Sequence, residues 1–172
     1  ILGDAYLGKD GSLKLELHYE DVEILEKLKE SLKSNHKISF RSRLIKETGN
    51  LRKTCYINIC RRKLLEDLIK HGITMKSKYC TIPSSIPNEF IRDFIRGVFC
   101  SDGGWHYHTN GQITFSICSS VKSFLEEIQE VLMKNCFLEK TKITSNKSGS
   151  CHELRYCGNL QCIKIYDYLY ND

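Results

Sequence analysis

The chain repeats its own plan. A turn at Asp10-Gly11, an alternating run from Ser12 to Tyr19 and a helical pattern from about Asp21 to Lys33 return as Asn110-Gly111, Gln112 to Cys118 and Val121 to Lys134, each shifted by 100 residues (Gly11 to Gly111). Both halves then continue alike. Lys37 to Lys46, a Thr48-Gly49-Asn50 turn and Leu51 to Cys60 read as a hairpin, followed by a helix ending near His71-Gly72. Lys140 to Lys147, a Ser148-Gly149 turn and Cys151 to Cys157 read as its twin, followed by a helix from about Asn159. A repeat that carries strands and helices in each copy makes each copy a small α+β unit. The expected halves are 1–80 and 88–172, joined by a linker, 81–87, that holds both prolines, Pro83 and Pro87.

The helices follow from spacing. Val22, Leu25, Leu28 and Leu32 form one apolar stripe behind Asp21, a residue type suited to an N-cap. Phe124, Leu125, Ile128, Val131 and Leu132 form the equivalent stripe. Leu64, Leu65, Leu68 and Ile69 precede Gly72, placed to end a helix. The strands follow from alternation, since successive side chains point to opposite faces. Leu13, Leu15 and Leu17 oppose Ser12, Lys14, Glu16 and His18; Ile38, Phe40 and Leu44 oppose Lys37, Ser39, Arg41 and Arg43; Cys55, Ile57 and Ile59 oppose Arg52, Thr54, Tyr56 and Asn58. The polar face is rich in side chains that reach phosphates and base edges. A solvated face of an antiparallel sheet carries the same pattern, so alternation alone leaves both readings open.

Composition narrows the class only a little. A formal charge of +5, from 26 Lys and Arg against 21 Asp and Glu, permits a nucleic-acid partner without requiring one. The nine cysteines are odd in number and include no C-x-x-C pair, which argues against a disulfide framework or a structural zinc site and for reduced core cysteines in an intracellular protein. Cys118 and Cys136 lie in apolar runs. No apolar run reaches the roughly 18 residues of a membrane span, and the first residues carry no signal-peptide pattern.

One helix ends in an unusual way. Ile91, Phe94, Ile95, Val98 and Phe99 form a stripe whose next position is Asp102, followed by Gly103-Gly104. A carboxylate there faces the negative end of the helix dipole, at a cost of a few tenths to about 1 kcal/mol, and a bound divalent cation would reverse the sign. An acidic residue beside glycine is also ordinary turn chemistry.

The run Phe94-Ile95-Arg96-Gly97-Val98-Phe99-Cys100-Ser101-Asp102-Gly103-Gly104 resembles the second signature of LAGLIDADG endonucleases, and Ile1-Leu2-Gly3-Asp4-Ala5-Tyr6-Leu7 resembles the end of the first. Gly72 to Lys78, then Ile82-Pro83 and the motif helix, is similar to the family's approach to its second copy. The resemblance implies two pseudo-symmetric αββαββα halves, antiparallel sheets forming a DNA-binding saddle, and motif helices packed at a pseudo-twofold axis, where small residues such as Gly97 suit close packing. It implies that Asp4 and Asp102, aided by the carbonyls of Gly3 and Ser101, hold Mg²⁺, with Mn²⁺ or Ca²⁺ able to substitute. It implies a site-specific double-strand break at a long recognition site, made by a monomer acting as a pseudo-dimer. Lys76 and Lys78, in the loop before the second motif, are candidates to stabilise the transition state. Cys100 and Leu2 stand where the family often has Asp, and Ala5 replaces the usual closing Gly, which would cost roughly 1 kcal/mol if a left-handed turn were needed.

Parity counted outward from the aspartates sorts the rest. Tyr6, His106 and His108 are expected toward DNA, with Leu7, Trp105 and Tyr107 toward the core. Gln112, Thr114 and Ser116 oppose Ile113, Phe115 and Ile117, and Lys140, Lys142, Thr144 and Asn146, with Glu153 and Arg155, complete that surface. The competing reading is a nucleic-acid binder that does not cut, either a transcription regulator or an intron-splicing maturase; two retained aspartates favour the enzyme.

Overall fold

Alternation of apolar and polar side chains is realised in a computed structural model that describes residues 5–8, 10–45, 49–73 and 80–171. Two four-stranded antiparallel sheets form, one in each half. The first contains β1 (Ala5–Leu7), β2 (Ser12–His18), β3 (Ile38–Leu44) and β4 (Leu51–Cys60) in the order β1-β2-β4-β3. The second contains β5 (Gly103–Tyr107), β6 (Ile113–Ser119), β7 (Thr144–Ser145) and β8 (His152–Cys157) in the same relative order, β5-β6-β8-β7. Helices α1 (Val22–Ser31) and α2 (Arg62–Lys70) accompany the first sheet; α3 (Ile91–Asp102), α4 (Lys122–Cys136) and α5 (Asn159–Tyr170) accompany the second. This is the expected α+β arrangement of two like halves.

The repeat extends to the backbone of the turns. In the first β-turn of each half, Gly8 N–H donates to the Ser12 carbonyl and Gly11 N–H to the Gly8 carbonyl, while His108 and Gly111 make the same pair of bonds with Gln112 and His108. Gly11 and Gly111 have φ of 82° and 78°, a region where a Cβ would meet the following carbonyl, so glycine suits both turns.

The chain divides into two compact units after Lys70. The segment 81–87 is bound into the second of them, where the Ile82 N–H donates to Glu127 Oε2 of α4 at 2.7 Å. The first unit buries Leu7, Leu13, Leu25, Cys55, Ile57 and Ile59 beneath its sheet. The second has a larger core, centred on Phe115, Ile117, Leu125, Ile128, Leu154 and Ile165.

Several expectations are revised. The strand expected over 140–147 is only two residues long. Leu138 and Ile143 are buried, and the Gln129 side chain of α4 donates to the Thr141 carbonyl at 2.8 Å, so this segment packs against the helix and not along β8. Tyr107 has the expected parity but stands 77% exposed at the end of β5, beyond the cover of the helices. Phe40 and Leu44, on the edge strand β3, are likewise exposed. The cysteines divide: Cys55, Cys80, Cys136 and Cys162 are buried, whereas Cys60, Cys100, Cys118 and Cys157 are exposed. Burial pushes the thiols of Cys80 and Cys136 up to about 11, which keeps them protonated. No helix among the described residues is long and apolar enough to cross a membrane.

Candidate nucleic-acid interface

Antiparallel partners share a face, so the register sorts side chains without reference to exposure. In the first sheet Tyr6 pairs with Lys14 and Lys14 with Asn58; Glu16 pairs with Tyr56 and Tyr56 with Ser39; His18 pairs with Thr54 and Thr54 with Arg41; Arg43 pairs with Arg52. Every strand residue expected on the polar side of this sheet therefore lies on one surface. Lys37 lies one residue ahead of β3 and is exposed. Ser12 has the right parity but is buried, and its hydroxyl donates to Asp10 Oδ1 at 2.6 Å within the turn.

The surface is organised around Glu16 and Tyr56. Lys14 Nζ meets Glu16 Oε2 at 2.5 Å, the buried Thr54 hydroxyl donates to Glu16 Oε1 at 2.8 Å, and Lys14 and Arg41 both lie over the Tyr56 ring. Beside them Glu16, Arg43, Arg52 and Thr54 line a cleft of about 270 Å³. The hydrogen bond from Lys14, then that from Thr54, holds the Glu16 carboxyl below its ordinary value of 4.5. A lowered carboxyl contributes stability above the unfolded value, and the contribution disappears as pH falls through the folded one. Glu16→Gln is therefore expected to cost about 0.5 kcal/mol at pH 7 and nothing near pH 2, measured by denaturant melts at both pH values.

In the second sheet His106 pairs with Thr114, Thr114 with Cys157, Ser116 with Arg155 and with Gly104, Cys118 with Glu153, and Glu153 with Thr144, again on one face. Polar groups here are joined to one another. His106 Nε2 lies 2.9 Å from Ser116 Oγ, and His108 Nε2 lies 2.9 Å from Thr114 Oγ1. Arg155 Nη2 donates to both Glu153 oxygens at 2.8 Å. Asn146 is occupied by its own turn, where Oδ1 accepts from the N–H groups of Ser150 and Cys151. Gln112 precedes β6 and is exposed. Lys140 and Lys142, off the ladder, line a cleft of about 430 Å³ with Thr144, Arg155 and Gln161.

An aromatic cluster packs at the end of α3. Phe99 stacks on Phe115 at 4.8 Å and meets Trp105 at 5.2 Å; Trp105 in turn contacts Phe115 and Tyr166. Phe99 is buried and belongs to the last turn of α3, while Trp105 belongs to β5, so the cluster fixes the helix–strand junction that bears Asp102. Asp102 itself is exposed, and Ser101 Oγ donates to the Val98 carbonyl at 3.0 Å and lies 3.3 Å from Asp102 Oδ2. Gly103 is extended, with φ −121° and ψ −176°, and Ala5 is the first residue of the extended strand β1. The expected strain of a left-handed turn at Ala5 therefore does not arise. Cys100 Sγ lies 3.8 Å from the Tyr170 hydroxyl of α5.

Gly3, Asp4, Lys76 and Lys78 lie outside the described residues. Among the described residues no group of three His, Cys, Asp or Glu side chains could hold a metal ion. Carboxylate and carbonyl oxygens are the donor set of a hard divalent cation, and the last carbonyls of a helix have no intrahelical donor. The sequence reading missed Cys118 and Cys157 on the polar face, which parity extended along β6 and β8 would have found, and Gln161, for which no periodic signal exists.

No family model and no curated protein matches the sequence. Solved structures do match its fold. The homing endonuclease I-WcaI bound to its DNA recognition sequence is similar over 98% of this chain and 76% of its own, with a TM-score of 0.67 and 16% identity. The N-terminal LAGLIDADG domain of DUF199/WhiA is similar over 100% of this chain and 77% of its own, with a TM-score of 0.61 and 13% identity. A variant of I-DmoI in complex with its target DNA in the presence of Mg covers 98% and 87%, with a TM-score of 0.53 and 16% identity.

Proposed function

With the LAGLIDADG fold of this chain as the premise, we propose that it is a site-specific double-strand DNA endonuclease of the homing type that depends on Mg²⁺. One observation carries the reading. Helix α3 ends on Asp102 and β5 begins at Gly103, so an acidic oxygen pair stands at the head of a sheet whose polar residues share one face. Homing endonucleases of similar fold have been solved on DNA, one of them with Mg present.

In this reading Asp102 and Asp4 hold Mg²⁺ with the carbonyls of Ser101 and Gly3, and Mn²⁺ or Ca²⁺ fits the same oxygen donors. The metal, when bound, supplies activation of water and stabilisation of the leaving oxygen. The chain's own residues do the rest. Arg41, Arg43, Arg52, Lys14 and Lys37 neutralise backbone phosphates and orient the duplex, while Tyr6, Ser39, Tyr56, Asn58, His106, His108 and Gln112 face base edges. Lys76 and Lys78 are the candidates to offset the negative charge that builds on the phosphate. Each half serves one strand, so a monomer acts as a pseudo-dimer. Its substrate places the protein inside the cell.

A plasmid library carrying randomised inserts tests the proposal: linear product in Mg²⁺, and none in chelator, is the expected result. Tight duplex binding with no nicking in any divalent metal would move the chain to the non-cleaving readings, a transcription regulator or a maturase. Binding is expected to weaken steeply with salt, because each neutralised phosphate releases counterions. Replacing Arg43 and Arg52 together by Ala should reduce the slope of log K against log[salt] by about 1 for each phosphate no longer neutralised. A flat wild-type response would remove the phosphate-facing role of the first sheet.

A further inference from the structure

On the second sheet the two histidines are held in different ways, and the difference determines what each can offer a base. His108 Nε2 lies 2.9 Å from Thr114 Oγ1, and the Thr114 hydroxyl donates to Cys157 Sγ at 3.6 Å. A hydroxyl has one proton to give. With that proton on Cys157, Thr114 accepts from His108, so the His108 ring proton sits on Nε2. The opposite arrangement, Thr114 donating to His108, would need the Cys157 thiol as its second donor, and an S–H is a weak donor where the contact has the geometry of a Thr114 O–H bond to sulfur. Thr114 is 4% exposed, so water does not readily take up the difference. The neutral ring of His108 therefore carries a lone pair on Nδ1, which makes no hydrogen bond among the described residues, and the side chain is exposed. His106 is built otherwise. Its partner, Ser116, has no second hydrogen bond among the described residues, so that hydroxyl can donate or accept, and His106 can present either an N–H or a lone pair.

We propose that His108 is a specificity-determining residue that accepts a hydrogen bond from an exocyclic amino group, adenine N6 or cytosine N4, in the major groove. Thr114 and Cys157 are positioning residues that fix its tautomer, and His106 reads its base without that selectivity. The proposal rests on the duplex-binding reading above. In the major groove only adenine and cytosine present amino donors, whereas guanine O6 and thymine O4 are acceptors and would oppose the Nδ1 lone pair.

Two measurements on the full chain test it, and the first needs no DNA. Long-range ¹⁵N–¹H correlation of the histidines at pH 8 should show His108 protonated at Nε2 alone and His106 as a mixture. Cys157→Ala, at an exposed position, frees the Thr114 proton and should turn His108 into a mixture as well. A proton on His108 Nδ1, or no change in Cys157→Ala, overturns the tautomer argument. The second measurement selects binding sites from a randomised duplex library. Wild type should enrich A or C over G or T at a position where His108→Ala loses that preference by about fivefold, the worth of one hydrogen bond. Loss of a G or T preference, or an unchanged base profile, overturns the base assignment. Failure of the wild type to enrich any duplex would bring down the duplex reading and the base assignment together, with the tautomer result still deciding whether Thr114 and Cys157 set the ring.

Discussion

Asp102→Asn is expected to abolish strand cleavage while leaving duplex binding within about twofold of wild type. The amide keeps the size and shape of the carboxylate but carries no charge, so it is a poor ligand for a hard cation. Loss of the electrostatic contribution at the reacting phosphate removes on the order of 10³-fold or more in rate. The side chain sits at the exposed C-terminus of α3, where a negative charge opposes the helix dipole. Its neutralisation therefore leaves stability unchanged or raises it by a few tenths of a kcal/mol. An inactive variant with an undiminished melting temperature separates a metal-binding role from a structural one. Asp4→Asn is the matched variant for the first half. The combination measured is single-turnover cleavage in Mg²⁺, duplex affinity in Ca²⁺ and thermal melting. Full cleavage by both variants would remove the two aspartates from the proposed chemistry.

The second large effect concerns the residue after the aspartate. A Cβ built on Gly103 would lie 2.5 Å from Phe99 Cδ2, 2.8 Å from the Phe99 carbonyl and 2.8 Å from the Ser116 carbonyl. Two of these neighbours are backbone, and the third is the buried ring stacked on Phe115. None can give way without parting β5 from β6 or lifting the last turn of α3. Gly103→Ala is expected to cost about 2–3 kcal/mol, in the range of overpacked cores, and to lower the melting temperature by several degrees. Because the same junction carries Asp102, cleavage should fall along with stability. Gly104→Ala is the control: its Cβ would meet nothing nearer than the His106 ring at 3.9 Å, so it should melt close to wild type. Equal loss in the two variants would show that backbone freedom, and not space, is what glycine provides at this junction.

The two predictions differ in how much of their basis was legible in the sequence. The stripe from Ile91 to Phe99 pointed to Asp102 as the next position on a helix face, and α3 does end there. A glycine after it was also readable, but its reason was not. Positive φ is the usual demand on glycine, yet Gly103 is extended, and only the proximity of Phe99 and Ser116 makes it necessary. Those two residues lie four positions before it and thirteen after it, and only strand pairing and helix packing bring both to the junction.

Alternation and a hundred-residue repeat were enough, taken by themselves, to determine two like α+β halves, the β3–β4 hairpin of the first and the face of the residues assigned on its regular strands. Both signals are local: a strand has a period of two whatever it packs against, and a duplicated pattern is visible in the chain itself. Tertiary structure alone decided which members of the polar face are available. Ser12 is taken by Asp10, Thr54 by Glu16, Arg155 by Glu153 and Asn146 by its own turn, whereas His108 keeps an unbonded ring nitrogen among the described residues. It also decided that 138–143 turns to α4, leaving β7 only two residues long. Parity gives the direction of a side chain, but hydrogen-bond partners depend on cross-strand register and on distances set by distant parts of the chain, which no local pattern encodes.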